Sequence, residues 1–130
     1  MNISIKLCEH IRERIIPQYV NFDKAHRIDH VEKVIEESMK LALHYEVNSA
    51  MVYTIAAYHD LGLCEGREFH HIVSGKILFA DETLWQWFTD DQMLQMKEAI
   101  EDHRASNKQA PRSIYGKIVA EADRIIDPEI

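Results

Sequence analysis

The stretch that decides the fold is MVYTIAAYHDLG, from Met51 to Gly62. The eight residues from Met51 to Tyr58 carry no charge, so a helix through them is apolar on nearly every side and is predicted to lie at the centre of the fold. The run ends in His59 and Asp60, which point about 100° apart on a helix and can reach one metal ion only near its end. We expect Gly62 to supply the turn there. The alternative is a buried histidine that is hydrogen-bonded to its neighbour. Residues elsewhere in the sequence must distinguish this from a metal site.

Length and charge limit the classes of protein to which the chain can belong. The chain has 130 residues, of which 46% are hydrophobic, and this predicts one domain, residues 1–130, with one core. The formal net charge is −7, which argues against binding duplex DNA or anionic lipid through bulk charge. Local basic residues could still hold a small phosphate.

The two cysteines, Cys8 and Cys64, lie far apart without CxxC spacing. The start of the sequence, MNISIKLCEH, reaches Glu9 before any long apolar segment forms. We therefore expect neither a signal peptide nor a transmembrane span, and we expect a reduced, cytoplasmic protein.

Hydrophobic periodicity predicts an all-α fold, a compact bundle of about six to seven helices. No strand-like alternation persists between turn signals. The predicted helices run over about residues 4–19, 27–45, 51–58 and 69–80, then from about residue 90, and again after Pro111, with Asn48 or Ser49 expected to cap the central one. His10 falls off the apolar stripe of the first helix and is expected at the surface.

Several helices carry a histidine or an aspartate at the end or inward edge of their apolar face. At the fourth helix, His71 shares a face with Gly75, Leu78 and Phe79, so His71 rather than His70 is the inward candidate. Gly75 lowers helix stability, which would be explained by close approach of another backbone. The collected candidates are His30, His59, Asp60, His71, His103 and Asp123.

Helical bundles build metal sites by converging such side chains on one interior point, whereas an unpaired buried carboxylate costs several kcal/mol. Two histidines and two aspartates suit a divalent Fe, Mn, Co, Ni, Zn or Mg ion. Four protein ligands leave positions for water and substrate on an ion that accepts six.

The order of these residues resembles the H…HD…D signature of the HD-domain metal-dependent phosphohydrolase superfamily. The segments that carry the resemblance are AHRIDHVEKV, AAYHDLG and EADRIID, and it covers about residues 23–126. It implies that His30, His59, Asp60 and Asp123 bind a metal ion. His71 and His103 resemble the extra histidines of a subgroup that sometimes holds a second metal; ordinary buried histidines are the alternative.

The resemblance is incomplete at the proton donor. Some members of the superfamily carry an acidic residue or a lysine soon after the central pair, whereas this chain has the sequence LGLC at residues 61–64. Glu65 and Glu68 follow on a loop. His26 could orient His30 or bind phosphate, or it could cap the helix.

The leading hypothesis is metal-dependent hydrolysis of a phosphate ester or anhydride in a nucleotide-like small molecule, with Asp60 or Asp123 steering the attacking water. Arg104, Lys108 and Arg112 are candidates to neutralise the substrate phosphate; a solvated loop is the alternative. The other hypotheses are a diiron oxygenase of the same superfamily, a hemerythrin-like binding module, and a metal-binding bundle without turnover. We expect one or two metal ions per chain, a phosphorylated small-molecule partner and no membrane partner.

Overall fold

The computed structural model describes residues 3–22, 27–103 and 110–126. Within these ranges the regular structure is entirely helical, which confirms the all-α prediction. The six α-helices are α1 (Ile5–His10), α2 (Ile28–Ala42), α3 (Ser49–Tyr58), α4 (His70–Ala80), α5 (Asp90–Asp102) and α6 (Ile114–Ile126). Short 3₁₀ helices at Leu61–Glu65 and Glu82–Gln86 precede and follow α4.

The first helix changes its winding along its length. α1 continues as a π-helical segment, Ile11–Ile15, and then tightens into a 3₁₀ helix, Ile16–Asn21, that has Pro17 in its first turn. Proline lacks the N–H that an α-helix interior needs, but the first turn of a helix leaves that group unpaired in any case. The buried side chains of this segment include Tyr19, which is fully enclosed.

Helix α3 lies at the centre, as its uncharged sequence predicts. The side chain of Asn48 caps its start by accepting hydrogen bonds from the N–H groups of Ala50 and Met51. Val52, Ile55, Ala56 and Ala57 are completely buried. Helices α2, α4, α5 and α6 all contact α3, so the residues at its end face the interior.

The surrounding helices pack through small residues where their axes come close. A Cβ added at Gly75 in α4 would lie 3.3 Å from the carbonyl oxygen of Lys97 in α5. This confirms the predicted close approach of another backbone. Gly116 in α6 similarly packs against the backbone of Ala99 in α5. Helices α4, α5 and α6 are thereby held side by side.

Within the described parts of the chain, no helix combines the length and apolar character needed to span a bilayer.

Candidate metal centre

The central pair lies directly after α3 and is withdrawn from solvent. His59 caps the helix and has 0% exposure, and Asp60 has 2%. The Nδ1 of His59 lies 2.5 Å from the carbonyl oxygen of Ala56, one turn back. Because a carbonyl oxygen can only accept, Nδ1 carries a proton, and Nε2 faces the interior.

Four side chains from three helices lie close together around His59 and form a first group of ligand-type residues. Its members are His30 from α2, His59 and Asp60 from the end of α3, and Asp123 from α6, and their ligand atoms lie within 4.8 Å of one another. His30 Nε2 is 3.2 Å from Asp123 Oδ1, and His59 Nε2 is 3.1 Å from Asp60 Oδ2. These are the four residues that the H…HD…D pattern singled out, now adjacent in space.

A second group forms on the other oxygen of Asp60. Its Oδ1 lies 3.3 Å from Nε2 of His70 and 3.5 Å from Nε2 of His103. These three ligand atoms also lie within 4.8 Å of one another. The carboxylate of Asp60 therefore stands between two sets of imidazoles, with one oxygen directed to each set.

Three of the imidazoles are oriented in the same way. The Nδ1 of His70 lies 2.9 Å from the carbonyl oxygen of Arg67, and that of His103 lies 2.5 Å from the carbonyl oxygen of Ile100. Like His59, each donates its Nδ1 proton to the backbone three residues earlier. Hydrogen bonds of this kind to backbone carbonyls hold metal-ligating histidines in the tautomer whose Nε2 can bind a metal.

The imidazoles and carboxylates of the centre shift each other's pKa values. Burial opposes the charged form of His59, but Asp60 and Asp123 outweigh it and raise the pKa of this imidazole well above its usual value. Burial likewise opposes ionisation of Asp60, yet His59, His103 and His70 hold the pKa of its carboxyl well below the usual range. The same opposition lowers the pKa of Asp123, through His30 and His59.

These residues fit a divalent metal ion. His59 Nε2 and Asp123 Oδ1 are buried, and among the described residues no contact of either atom has the geometry of a hydrogen bond. Both atoms instead face other members of the group, as metal ligands would. Imidazole nitrogens together with carboxylate oxygens suit the borderline divalent ions. The side chains of His70 and Asp123 are 16% and 12% exposed, and solvent reaches the two groups there.

Gly62 brings the second group together, by a different means from the one predicted. Its backbone is not left-handed, since among the described residues only Gly66 has a positive φ. Instead its N–H donates to Ser74 Oγ at 2.7 Å, and a Cβ at this position would lie 2.1 Å from the carbonyl oxygen of His70. Gly62 is thus needed for space, because the start of α4 packs directly on its backbone.

The structure favours His70 where the sequence favoured His71. His71 is buried as expected, but it belongs to neither of the two groups found among the described residues. Phe79, placed on the same inward face, is 37% exposed. The sequence carries no clear signal for His70, because Ser74 on the same face is polar and its burial and its bond to Gly62 are seen only in the structure.

Arg112, expected to hold substrate phosphate, is instead engaged with acidic residues of α5. Its guanidinium lies 2.9 Å from both Asp102 and Glu101 and 3.5 Å from Glu98. An arginine with three carboxylate partners is not poised for a further anion. Arg104, Lys108 and His26 lie outside the described residues, while Glu65 and Glu68 are exposed.

Comparison with known proteins agrees with this geometry. The sequence model of the HD domain matches residues 27–126. The chain belongs to the HD domain family. Its fold is similar to the crystal structure of a predicted HD superfamily hydrolase from an uncultured Thermotogales bacterium, with a TM-score of 0.73 at 22% sequence identity. The match covers 92% of this chain and 66% of that one, so the chain spans less than two thirds of that protein's length. A search of curated proteins finds no match.

Proposed function

We propose that the protein is a metal-dependent phosphohydrolase that acts on a phosphate ester or anhydride of a nucleotide-like small molecule. The observation that carries this proposal is the pair of side-chain groups sharing Asp60, each with imidazole Nε2 atoms directed at a carboxylate oxygen. The HD domain family and the hydrolase whose fold is similar support the same class of reaction.

The residues divide into two ligand sets. His30, His59, Asp60 and Asp123 would hold one divalent ion, and Asp60, His70 and His103 would hold a second. When bound, a divalent ion supplies a Lewis acid for the phosphoryl oxygen and lowers the pKa of water. Asp60 is suited to bridge the two sets because each of its oxygens faces only one of them.

Asp123 is the carboxylate best placed to steer a water molecule. Its side chain is the more exposed of the two catalytic aspartates, at 12% against 3% for Asp60. Its lowered pKa keeps it ionised, so it can accept a hydrogen bond from a water molecule and orient that water. Glu65 and Glu68, which are exposed in the segment between Asp60 and α4, are the nearest acidic residues along the chain after the central pair.

A diiron oxygenase is the second candidate, and the shared Asp60 is the observation that favours it. A carboxylate between two histidine-rich sets also suits two iron ions, because imidazole is a good ligand for iron. The two functions differ in their reactants. The oxygenase consumes oxygen, whereas the hydrolase releases phosphate in the absence of oxygen.

We further propose a cytoplasmic location and a small phosphorylated substrate. Cys8 and Cys64 form no disulfide, which agrees with a reducing compartment. The net charge of −7 disfavours duplex nucleic acid as a partner.

The proposal is tested by purifying the protein without chelators, measuring its metal content, and screening nucleotides and p-nitrophenyl phosphate for phosphate release. We expect bound divalent metal, hydrolysis of at least one phosphate substrate, and loss of activity on chelation that added metal restores. His44→Ala, which changes an exposed histidine, serves as the matched control and should behave as wild type. Iron with oxygen consumption and no phosphate release would favour the oxygenase; protein that binds no divalent metal would exclude both.

A further inference from the structure

The end of α3 leaves backbone polar groups in the dry interior of the protein. The last carbonyl groups of a helix have no partner within it, and a buried helix end needs partners from elsewhere. Ala57, Tyr58 and His59 are all completely buried. The carbonyl oxygen of Ala56 is already engaged by Nδ1 of His59. The carbonyl of Ala57 and the N–H of Asp60 lie at this buried helix end.

The hydroxyl of Tyr19 satisfies both groups. It donates to the carbonyl oxygen of Ala57 at 2.6 Å and accepts from the N–H of Asp60 at 3.3 Å. Tyr19 has 0% exposure, and its ring packs edge-on against Phe22 with the ring centroids 5.3 Å apart. One hydroxyl thus ties the last turn of α3 to the backbone of the aspartate that both ligand groups share.

This contact comes from outside the part of the chain that matches the HD domain, which begins at residue 27. Tyr19 lies in the 3₁₀ helix Ile16–Asn21, and 41 positions separate it from Asp60. The backbone of Asp60, at φ −116° and ψ 8°, has left the helical conformation of α3. There it contacts a side chain from another element, Tyr19.

We propose that Tyr19 is a positioning residue for the metal centre: its hydroxyl fixes the backbone of Asp60 so that the two carboxylate oxygens face the two imidazole sets before any metal binds. This inference rests on the proposed metal centre. Among the described residues, the hydrogen bonds of the phenol go to backbone groups and not to a ligand atom, so it acts through the Asp60 backbone. Its loss should weaken metal binding without removing any ligand.

The test is Tyr19→Phe, which deletes one oxygen atom. Co²⁺ is the probe, because its visible absorption reports both affinity and ligand geometry. Changing a group that orients a ligand typically weakens metal binding about 10- to 100-fold, and we expect a loss in that range with an altered Co²⁺ spectrum. Circular dichroism checks that the helical content is kept.

Tyr58→Phe is the matched control. The Tyr58 hydroxyl is also buried on α3, beside His59, but it donates to Asp81 Oδ2 at 2.5 Å and lies 3.2 Å from His10 Nε2. Its loss should lower thermal stability while Co²⁺ affinity stays close to wild type. If Tyr19 had only a structural role, Tyr19→Phe and Tyr58→Phe would have similar Co²⁺ affinities.

Hydrogen exchange of the Asp60 amide in metal-free wild-type protein gives a second measurement that needs no variant. We expect this amide to be protected before metal is added. Rapid exchange that slows only when Co²⁺ binds would overturn the inference, as would wild-type affinity in Tyr19→Phe or an equal loss in Tyr58→Phe. If the wild-type protein bound no Co²⁺, the proposed metal centre would fail and this inference with it.

Discussion

The two oxygens of Asp60 face different histidines: Oδ2 lies 3.1 Å from Nε2 of His59, and Oδ1 lies 3.3 Å from Nε2 of His70. A single aspartate thus joins side chains from α2, α3 and α6 to side chains from α4 and α5. Removing this aspartate should weaken metal binding at both groups, whereas removing any one of the histidines should weaken metal binding at one group only.

We predict that Asp60→Ala loses all metal binding and any hydrolysis while the protein stays helical. The change removes a charged ligand from both groups, and metal analysis with circular dichroism would measure the outcome. Asp81→Ala is the control, because Asp81 is a partly buried carboxylate bonded to Tyr58 and His10. It should lower stability but keep the metal. Full metal occupancy in Asp60→Ala would show that the central pair is structural.

We predict that His70→Ala lowers the metal content from about two ions per chain to about one, whereas His71→Ala leaves it unchanged. His70 Nε2 contacts Asp60, and its neighbour His71 belongs to neither ligand group. Elemental analysis after dialysis gives the stoichiometry. A loss of metal in His71→Ala with none in His70→Ala would reverse the assignment and restore the expectation from the sequence.

Metal affinity should fall as the pH falls. The neighbouring carboxylates raise the pKa of His59 and, through Asp60, that of His70, so their imidazoles hold protons up to a higher pH in the metal-free protein. A metal ion must displace those protons, and binding therefore becomes weaker at lower pH. Titrations with Co²⁺ between about pH 6 and pH 8 would check the sign. An affinity independent of pH across this range would contradict it.

Gly62→Ala should destabilise the fold by about 1–3 kcal/mol and weaken metal binding at the second group. The new Cβ would meet the carbonyl oxygen of His70 at 2.1 Å and must push the start of α4 away from Asp60. Gly75→Ala is the control, because its Cβ would lie 3.3 Å from its nearest neighbours and alanine favours the helix by about 1 kcal/mol. Denaturant unfolding and metal titration measure both effects. Equal stability and equal metal affinity in the two variants would contradict this role of Gly62.

The sequence predicted the centre of the fold because its signals there are local. The uncharged run before His59 indicated a buried helix, and α3 lies where that run predicts. His30 and Asp123 each stand at the edge of an amphipathic face, and the structure brings both to the central pair. Such faces can be recognised from periodicity alone.

The parts that could not be predicted depend on contacts between distant segments. His10 was expected at the surface, yet it lies 2.9 Å from Asp81, a residue 71 positions away. His70 was passed over because its face carries Ser74, whose burial is explained only by its bond to Gly62. Tyr19 gave no signal of its own, since any buried tyrosine on an apolar stripe looks the same in sequence.

The central claim is that side chains from five helices hold divalent metal around Asp60. The most direct measurement is anomalous diffraction from crystals of the protein grown with Mn²⁺. The account predicts one peak among His30, His59, Asp60 and Asp123, and a second among Asp60, His70 and His103, about 3.5–4 Å away. A single peak in the first group would contradict the second ion. The absence of any peak beside Asp60 would contradict the metal centre itself.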